Sequence, residues 1–282
     1  MKPSGARGAT AVPRALVAVT ALCCLLCVSC AAPLMKLPAG AGVPASDAAD
    51  ALAQATAACR AIRTLTAEIA ISGSAGGGRV RGRLLAGVAA PASVRLEAVA
   101  PFGPPVFIFV ATNDDATLLL PRDDRALQHG RPDAVLDAVA GVPLTAEDLH
   151  QTLTGCAPAL SQPQGRSLGP DWRVLMSSAE QMTPTLYLHR EAGAQSWRLV
   201  ALVRTAATGR PWRAEYRNFQ NGLPRSIHLA SGDLDFNLTL ALSQVETNVP
   251  LGDDVFRLEI PPFADPITVD ELRRARLGIR EN

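Results

Sequence analysis

A chain of 282 residues is long enough for one large β domain or for two small domains. Aromatic residues make up only 4% of it, and the charged fraction of 19% lies below the roughly 25% usual in globular domains. Small apolar side chains therefore dominate the expected interior. The formal net charge of +1 leaves no basic excess, which argues against nucleic acid as a partner.

Residues 1–29 are typical of a bacterial signal peptide. Three basic residues precede the apolar run ALVAVTALCCLLCV. This run of about 14 residues is too short for a bilayer core, which needs about 20, but it suits the apolar region of a signal peptide. Ser29 and Cys30 resemble the end of a lipobox, where the cysteine thiol is lipidated and becomes the new N-terminus. An ordinary secretory signal is the alternative.

Cys30 is accordingly predicted to be a lipid anchor that carries palmitate or a similar acyl group. The residues that follow it, AAPLMKLPAGAGVPAS, are rich in Pro, Gly and Ala and show no period. Such a composition predicts a flexible tether over residues 30–46. We expect the remainder, residues 47–282, to form a single domain.

The predicted elements begin with a helix that Asp47 can cap and that continues through AADALAQATAACRAI. After Arg63 the apolar period changes to two, and several alternating runs follow without helices between them. A helical interlude, RPDAVLDAVAGVPLTAEDLHQTLTGC, contains a break at Gly141 and a capping box of Thr145 with Asp148. Further alternating runs precede a last short strand near 256–260 and a C-terminal helix.

Two batches of strands around a short helical insert predict a mainly β, α+β fold with an antiparallel sheet. A count of about eleven strands favours one strongly curved sheet or a partly open barrel. With few rings to fill it, an interior of Val, Leu, Ile and Ala leaves room for an apolar cavity, and a fully packed core is the alternative.

Cys59 and Cys156 are the only cysteines outside the signal peptide and the predicted anchor. A pair of cysteines in an exported protein usually forms a disulfide, because the compartment is oxidising. We therefore predict a Cys59–Cys156 disulfide, with two buried free thiols as the alternative.

Catalytic patterns are missing from the sequence. None of the four histidines has the spacing of a zinc site, and there is neither a G-x-S-x-G elbow nor a P-loop. Adjacent aspartates at 114–115, 123–124 and 253–254 lie in predicted turns, where polarity alone explains them. The sequence predicts no enzyme, no catalytic residue, no metal site and no cofactor.

The stretch RLEAVAPFGPPVFIFVAT places Phe102 at the tip of a turn between two strand-like runs. Pro101, Pro104 and Pro105 stiffen this turn, so an exposed ring would be held out with little ordering cost. A ring folded back on the sheet is the alternative, because single exposed apolar residues carry no meaning by themselves.

Two stretches resemble the LolA/LolB family of lipoprotein carriers and receptors, and they are closest to the outer-membrane receptor LolB. One is VRLEAVAPFGPPVFIFVA, with its turn at Ala100-Pro101-Phe102-Gly103. The other is LLLPRDDRALQHGRPDAVLDAVAGVPLTAEDLHQTLTGCAP, whose helical part closes at Gly155. The C-terminal stretch NVPLGDDVFRLEIPP is more similar to LolA. Phe102 stands where the family has Leu, and the cysteine pair is an addition.

The resemblance implies an incomplete antiparallel β-barrel of about eleven strands with a helical lid over an apolar cavity. It implies that Pro101, Phe102 and Gly103 form a membrane-insertion loop. The cavity-lining candidates are apolar residues of the predicted strands and helices: Leu65, Ile69, Ile71, Leu96, Val106, Ile108, Val135, Leu136, Val139, Leu149, Trp197, Leu199, Leu238 and Leu240.

The function implied is that of a chaperone-like protein of the bacterial cell envelope, anchored by lipid in the outer membrane and facing the periplasm. It would bind acyl chains of lipoproteins, or another lipid, and accept or insert lipoproteins into the outer membrane. A soluble periplasmic LolA-like carrier would be a further partner. The alternatives are an envelope-stress sensor, an assembly-accessory lipoprotein or a carrier of another lipid on the same fold.

Overall fold

The computed structural model describes residues 33–160, 162–177, 184–205 and 210–278. The predicted signal peptide and Cys30 lie outside the described residues, and both stay predictions. From Leu34 onward the described residues belong to one compact unit. No helix among them is long and apolar enough to cross a bilayer.

Fifteen strands form one open sheet in the described part of the chain. They are β1 (Val43–Pro44), β2 (Thr64–Ala75), β3 (Gly78–Ala89), β4 (Ser93–Val99), β5 (Ile108–Thr112), β6 (Asp115–Leu120), β7 (Arg125–Gly130), β8 (Pro163–Ser167), β9 (Trp172–Ser177), β10 (Thr185–His189), β11 (Arg198–Thr205), β12 (Pro211–Arg217), β13 (Ser226–Ser231), β14 (Phe236–Thr247) and β15 (Asp265–Pro266). Their order is β1-β8-β9-β10-β11-β12-β13-β14-β2-β3-β4-β5-β6-β7-β15. Among these described strands, only β15 pairs in parallel, with β7.

The mainly β prediction is confirmed, and the open edges at β1 and β15 are consistent with an incomplete barrel. The predicted count of about eleven strands is wrong. The extra strands β1, β8 and β15 have no alternating apolar pattern, so the sequence did not predict their pairing with β8, β9 and β7. Instead of the strand predicted near 256–260, the structure has a short 3₁₀ helix, Asp253–Phe256.

Four helices accompany the sheet in the described residues: α1 (Ala48–Arg60), α2 (Pro132–Ala140), α3 (Ala146–Thr154) and α4 (Val269–Gly278). Gly141 ends α2 with a left-handed φ of 77°, and the predicted capping box of Thr145 and Asp148 begins α3. Asp47 precedes α1 but does not cap it with its side chain. Its carboxylate pairs instead with Arg173 of β9 at 2.8 Å, and this hydrogen bond lowers the pKa of Asp47.

The sheet has an apolar inner face and a polar outer face. Directly paired residues share a face of a sheet. Across β2, β14, β13 and β12 the inner face has the paired residues Ile71, Leu240, Ile227 and Tyr216. The next position of the same strands has Ser72, Thr239, His228 and Glu215 on the outer face. Three helices pack on the inner face: α1 against β8 to β11, α2 against β6, and α3 against β4.

The described part of the predicted tether is held against the sheet. Val43 and Pro44 form β1 on the edge of β8, and the Arg166 guanidinium donates to the Ala41 carbonyl at 2.7 Å. Met35 donates its backbone N–H to both carboxylate oxygens of Glu215, at 2.8 and 3.0 Å. Flexibility therefore stays a prediction only for residues 30–32, which lie outside the described residues.

Glu215 is a fully buried charge on the outer face of β12. Its carboxylate pairs with Arg213 and with Arg217, the latter at 2.7 Å. The Arg213 guanidinium also donates to the Met35 carbonyl oxygen. A buried carboxylate requires such pairing. The N-terminal segment is therefore part of the ion cluster, because Met35 supplies one of its hydrogen-bond donors.

Candidate functional site

Most of the predicted cavity-lining residues lie in one apolar core between the inner face and the helices. Those buried in it are Leu65, Ile69, Leu96, Val135, Leu136, Leu149, Trp197, Leu199, Leu238 and Leu240. Ile71 and Val139 pack against this core and are partly buried. Ile108 is half-buried at the start of β5.

Val106 does not belong to this set. Its side chain is 47% exposed in the loop before β5, because the strand that the sequence predicts from Pro105 begins only at Ile108. The prediction that Val106 lines an interior cavity is wrong, and the residue lies instead beside the Phe102 turn.

Two surface hollows lie away from the predicted cavity residues. One, of about 410 Å³, lies between the Glu68, Leu85 and Arg95 side chains and the 3₁₀ helix that contains Val255. The other, of about 240 Å³, lies beside Met35, His189 and Arg198. Neither hollow is lined by any predicted cavity residue. The apolar residues of the inner face instead pack against one another and against the helices.

A buried ion pair fastens α3 to the sheet. The Asp148 carboxylate, 7% exposed, pairs with the Arg204 guanidinium of β11. The second carboxylate oxygen accepts the Thr145 backbone N–H at 3.0 Å as part of the capping box. Asp148 therefore both begins the helix and holds it on the inner face.

Tyr216 makes a second polar contact between the sheet and α3. Its side chain is 1% exposed, and its hydroxyl faces the Thr152 side chain of α3. Burial, reinforced by the Asp148 negative charge, raises the pKa of the Tyr216 hydroxyl. The hydroxyl therefore stays neutral, so it places no second negative charge beside Asp148 in the apolar core.

His150 lies buried in α3 and is 9% exposed. Its Nε2 has no hydrogen-bond partner among the described residues. Burial lowers the pKa of the imidazole, because the charged form loses more hydration than the neutral form. The helix α3 thus contains a buried imidazole whose neutral form is favoured.

The predicted disulfide between Cys59 and Cys156 is present, with 5.4 Å between the two Cα atoms. It joins the last turn of α1 to the segment that follows α3. Gly155 makes this approach possible, because it ends α3 with a φ of 66° and a Cβ there would come within 2.7 Å of the Pro224 ring. The two helices are therefore covalently linked at one end.

Phe102 protrudes from the loop between β4 and β5 and is 90% exposed. Backbone hydrogen bonds between Ala98 and Val106 and between Ala98 and Phe107, of 2.9 and 3.0 Å, close the base of this loop. Pro101 and Gly103 are exposed beside the ring. The ring is not folded back on the sheet, so the alternative of a core side chain is wrong. Membrane insertion by the loop stays a prediction.

No protein-family model and no curated protein matches the chain. Among solved structures it is similar to a LolA superfamily protein from Nitrosomonas europaea, with 13% identity over 75% of this chain and 97% of that chain and a TM-score of 0.49. It is similar to a DUF1329 family protein from Desulfovibrio piger, with 11% identity, coverages of 71% and 91% and a TM-score of 0.47. A third, described as an outer-membrane lipoprotein-sorting protein domain, comes from Vibrio parahaemolyticus, with 12% identity, coverages of 69% and 89% and a TM-score of 0.45.

The first name refers to the LolA superfamily and the third to lipoprotein sorting, and none of the three names singles out LolB. With TM-scores below 0.5 and identities of 11 to 13%, they assign neither fold nor activity to this chain. The closer resemblance to the receptor stays a prediction.

Sequence patterns did not reveal the Asp148–Arg204 pair, because its members are 56 residues apart on a helix and a strand. They also did not single out Phe263, which is 70% exposed. A signal for Phe263 was available in IPPFADP, where prolines flank a Phe as they do around Phe102. No group of three or more metal-ligating side chains occurs within the described ranges.

Proposed function

We propose that this chain is a lipid-anchored protein of the bacterial outer membrane that binds acyl chains between its sheet and its helices. In this proposal it accepts lipoproteins from a soluble periplasmic carrier, or inserts them into the membrane. The observation that carries the proposal is an apolar inner face covered by short helices instead of by a second sheet.

Acyl-chain binding requires the helices to yield, because the inner face is packed as it stands. The contacts of α3 with the sheet include the Asp148–Arg204 pair, the approach of the Tyr216 hydroxyl to Thr152 and apolar packing. An acyl chain that replaces the apolar packing recovers the burial that is lost when the helix moves, at roughly 25 cal/mol per Å². This exchange offsets the apolar part of the free-energy cost, whereas separation of the buried Asp148–Arg204 pair adds to that cost.

The native tryptophans provide a test of acyl-chain binding. Trp197 and Trp212 are each 3% exposed and belong to the inner core. We expect a brominated fatty acid to quench their fluorescence saturably, since bromine must approach the rings closely. A matched Trp197→Phe variant should lose its share of the quenching. Absence of quenching at saturating fatty acid would contradict acyl-chain binding on the inner face.

The Phe102 loop supports the membrane part of the proposal. An exposed ring at a stiffened turn has the size and polarity of a wedge at the headgroup boundary. We expect Phe102→Glu to leave folding and anchoring intact and to impair delivery of lipoproteins to the outer membrane, as measured by membrane fractionation.

The matched control for that variant is Met176→Glu on β9, because Met176 is another exposed apolar side chain, at 39%. It should leave delivery unchanged. Equal delivery by Phe102→Glu and the wild type would contradict a membrane role for the loop.

A further inference from the structure

Phe263 is a second phenylalanine whose ring is exposed to solvent, besides Phe102. Phe263 lies in the segment between the 3₁₀ helix and β15 and is 70% exposed. Pro261 and Pro262 precede it, and the Ala264 N–H donates to the Pro261 carbonyl at 3.0 Å to close a turn around it. As at Phe102, proline stiffness holds the ring out at little entropic cost.

The turn between β6 and β7 brings the two aromatic loops to one end of the sheet. Arg122 in this turn donates to the Phe102 carbonyl at 2.9 Å and to the Pro104 carbonyl at 3.2 Å. Asp124 in the same turn accepts the Asp265 backbone N–H at 2.7 Å. Both loops are therefore bonded to this one turn, at the end of the sheet where β6 ends and β7 begins.

The segment that contains Phe263 is fixed to the edge of the sheet. Asp265 and Pro266 form β15 beside β7, and the Ile267 N–H donates to the Ala126 carbonyl at 2.9 Å. The Ile267 side chain is buried in the core at 6% exposure. Phe263 is thus exposed on a segment that is fixed to the sheet, four residues before the buried Ile267.

We infer that Phe263 and Phe102 form a two-ring contact with the surface of a phospholipid bilayer. This inference rests on the proposed membrane role of the Phe102 loop. It adds a second insertion point on a different segment of the chain, more than 150 residues away in sequence. Two insertion points fix the tilt of the sheet relative to the membrane, whereas one loop permits rotation about itself.

The shape of this end favours a lipid surface over a protein partner. Both rings protrude, and neither of the two hollows described above is lined by Phe102 or Phe263. A protruding ring needs a complementary pocket in a protein, but enters the boundary of a fluid bilayer without one. Val106, 47% exposed in the Phe102 loop, adds apolar surface at the same end.

The charges of the connecting turn are balanced. Arg122 and Arg125 flank Asp123 and Asp124, so the turn has no net charge. Attraction to anionic lipid therefore contributes little, and we expect contact to persist when the ionic strength is raised. Burial of the rings, rather than surface charge, would hold this end at the membrane.

The test places a tryptophan at each ring position in the full, lipid-anchored chain. Phe102→Trp, Phe263→Trp and the control Met176→Trp are reconstituted in vesicles of phosphatidylethanolamine and phosphatidylglycerol with brominated acyl chains. The fluorescence of the wild type is subtracted to remove the three native tryptophans. We expect loss of fluorescence at positions 102 and 263 and none at 176, in low and in high salt.

Each other outcome overturns the inference. Quenching at 102 without quenching at 263 would remove Phe263 from the contact and leave the proposed function intact. Quenching at neither position would remove the membrane role of the Phe102 loop as well. The Phe263→Trp indole could instead be shielded from water in the absence of vesicles, with the protein at twice the mass of one chain. This result would show that a second copy of the chain covers this end. The melting temperature of each variant verifies that the fold is unchanged.

Discussion

On the inner face of the sheet the fully buried side chains include Leu65 and Ile69, whereas on the outer face the fully buried side chain of β12 is the charged Glu215. The inner residues gain stability from the apolar area they remove from water, which needs no particular partner. The buried carboxylate is stable only while Arg213, Arg217 and the Met35 N–H satisfy it. Apolar partners on the inner face are therefore interchangeable in kind, whereas the carboxylate on the outer face needs these particular donors.

The largest effect on this comparison should come from the disulfide that links the inner helices. A Cys59→Ser, Cys156→Ser double variant loses a cross-link between residues 97 apart. The chain-entropy model gives about 4 to 5 kcal/mol for a loop of that size. Denaturant unfolding should show this loss, and reductant should destabilise the wild type but not the variant. Equal stability with and without reductant would contradict the prediction.

A cavity on the inner face should have the next largest effect. Leu65→Ala removes a fully buried side chain and should lower the free energy of unfolding by about 2 to 5 kcal/mol. The matched change on the outer face, Leu85→Ala, removes a side chain that is 45% exposed and should cost well under half as much. Similar losses from both variants would show that the two faces are not stabilised differently.

Removal of the buried charge tests the outer face. Glu215→Gln leaves Arg213 and Arg217 without their carboxylate, which we expect to cost about 2 kcal/mol. Both guanidiniums are partly exposed, so the loss is smaller than for a fully buried pair. The N-terminal segment should also be released, and proteolysis near Met35 should become faster.

The control for that variant is Glu68→Gln. Glu68 pairs with Arg83 at 2.8 Å, but the arginine side chain is 58% exposed. Such surface pairs contribute about 0 to 1 kcal/mol. If Glu215→Gln and Glu68→Gln lower the free energy of unfolding equally, the ion pairs of Glu215 contribute no more than an ordinary surface ion pair.

The smallest predicted effect is the pH dependence of His150. Because burial lowers its pKa in the folded state, the unfolded chain takes up a proton at higher pH than the folded protein does. The resulting stability is present above the ordinary value of 6.5 and is lost as pH falls below it toward the lowered folded value. His150→Gln should reduce the fall in melting temperature between about pH 7.5 and about pH 5.5. If the variant shows the same fall in melting temperature as the wild type, other titratable groups cause that fall.

The amino-acid sequence by itself determined much of the local structure. Alternating runs predicted most of the long strands, and the capping box of Thr145 and Asp148 predicted the start of α3. The two cysteines left outside the signal and anchor predicted the disulfide, since there was one way to pair them. Proline on both sides of the Phe102 turn predicted a loop, because proline limits the backbone whatever surrounds it.

The tertiary structure alone decided how distant segments meet. Met35 reaches Glu215 across 180 residues, and β1, β8 and β15 pair although their sequences have no alternating apolar pattern. It also decided that Val106 is exposed and that the segments of Phe102 and Phe263 both hydrogen-bond the turn that contains Arg122 and Asp124. Local propensity acts over a few residues, whereas pairing partners are chosen by which surfaces the folded chain brings together.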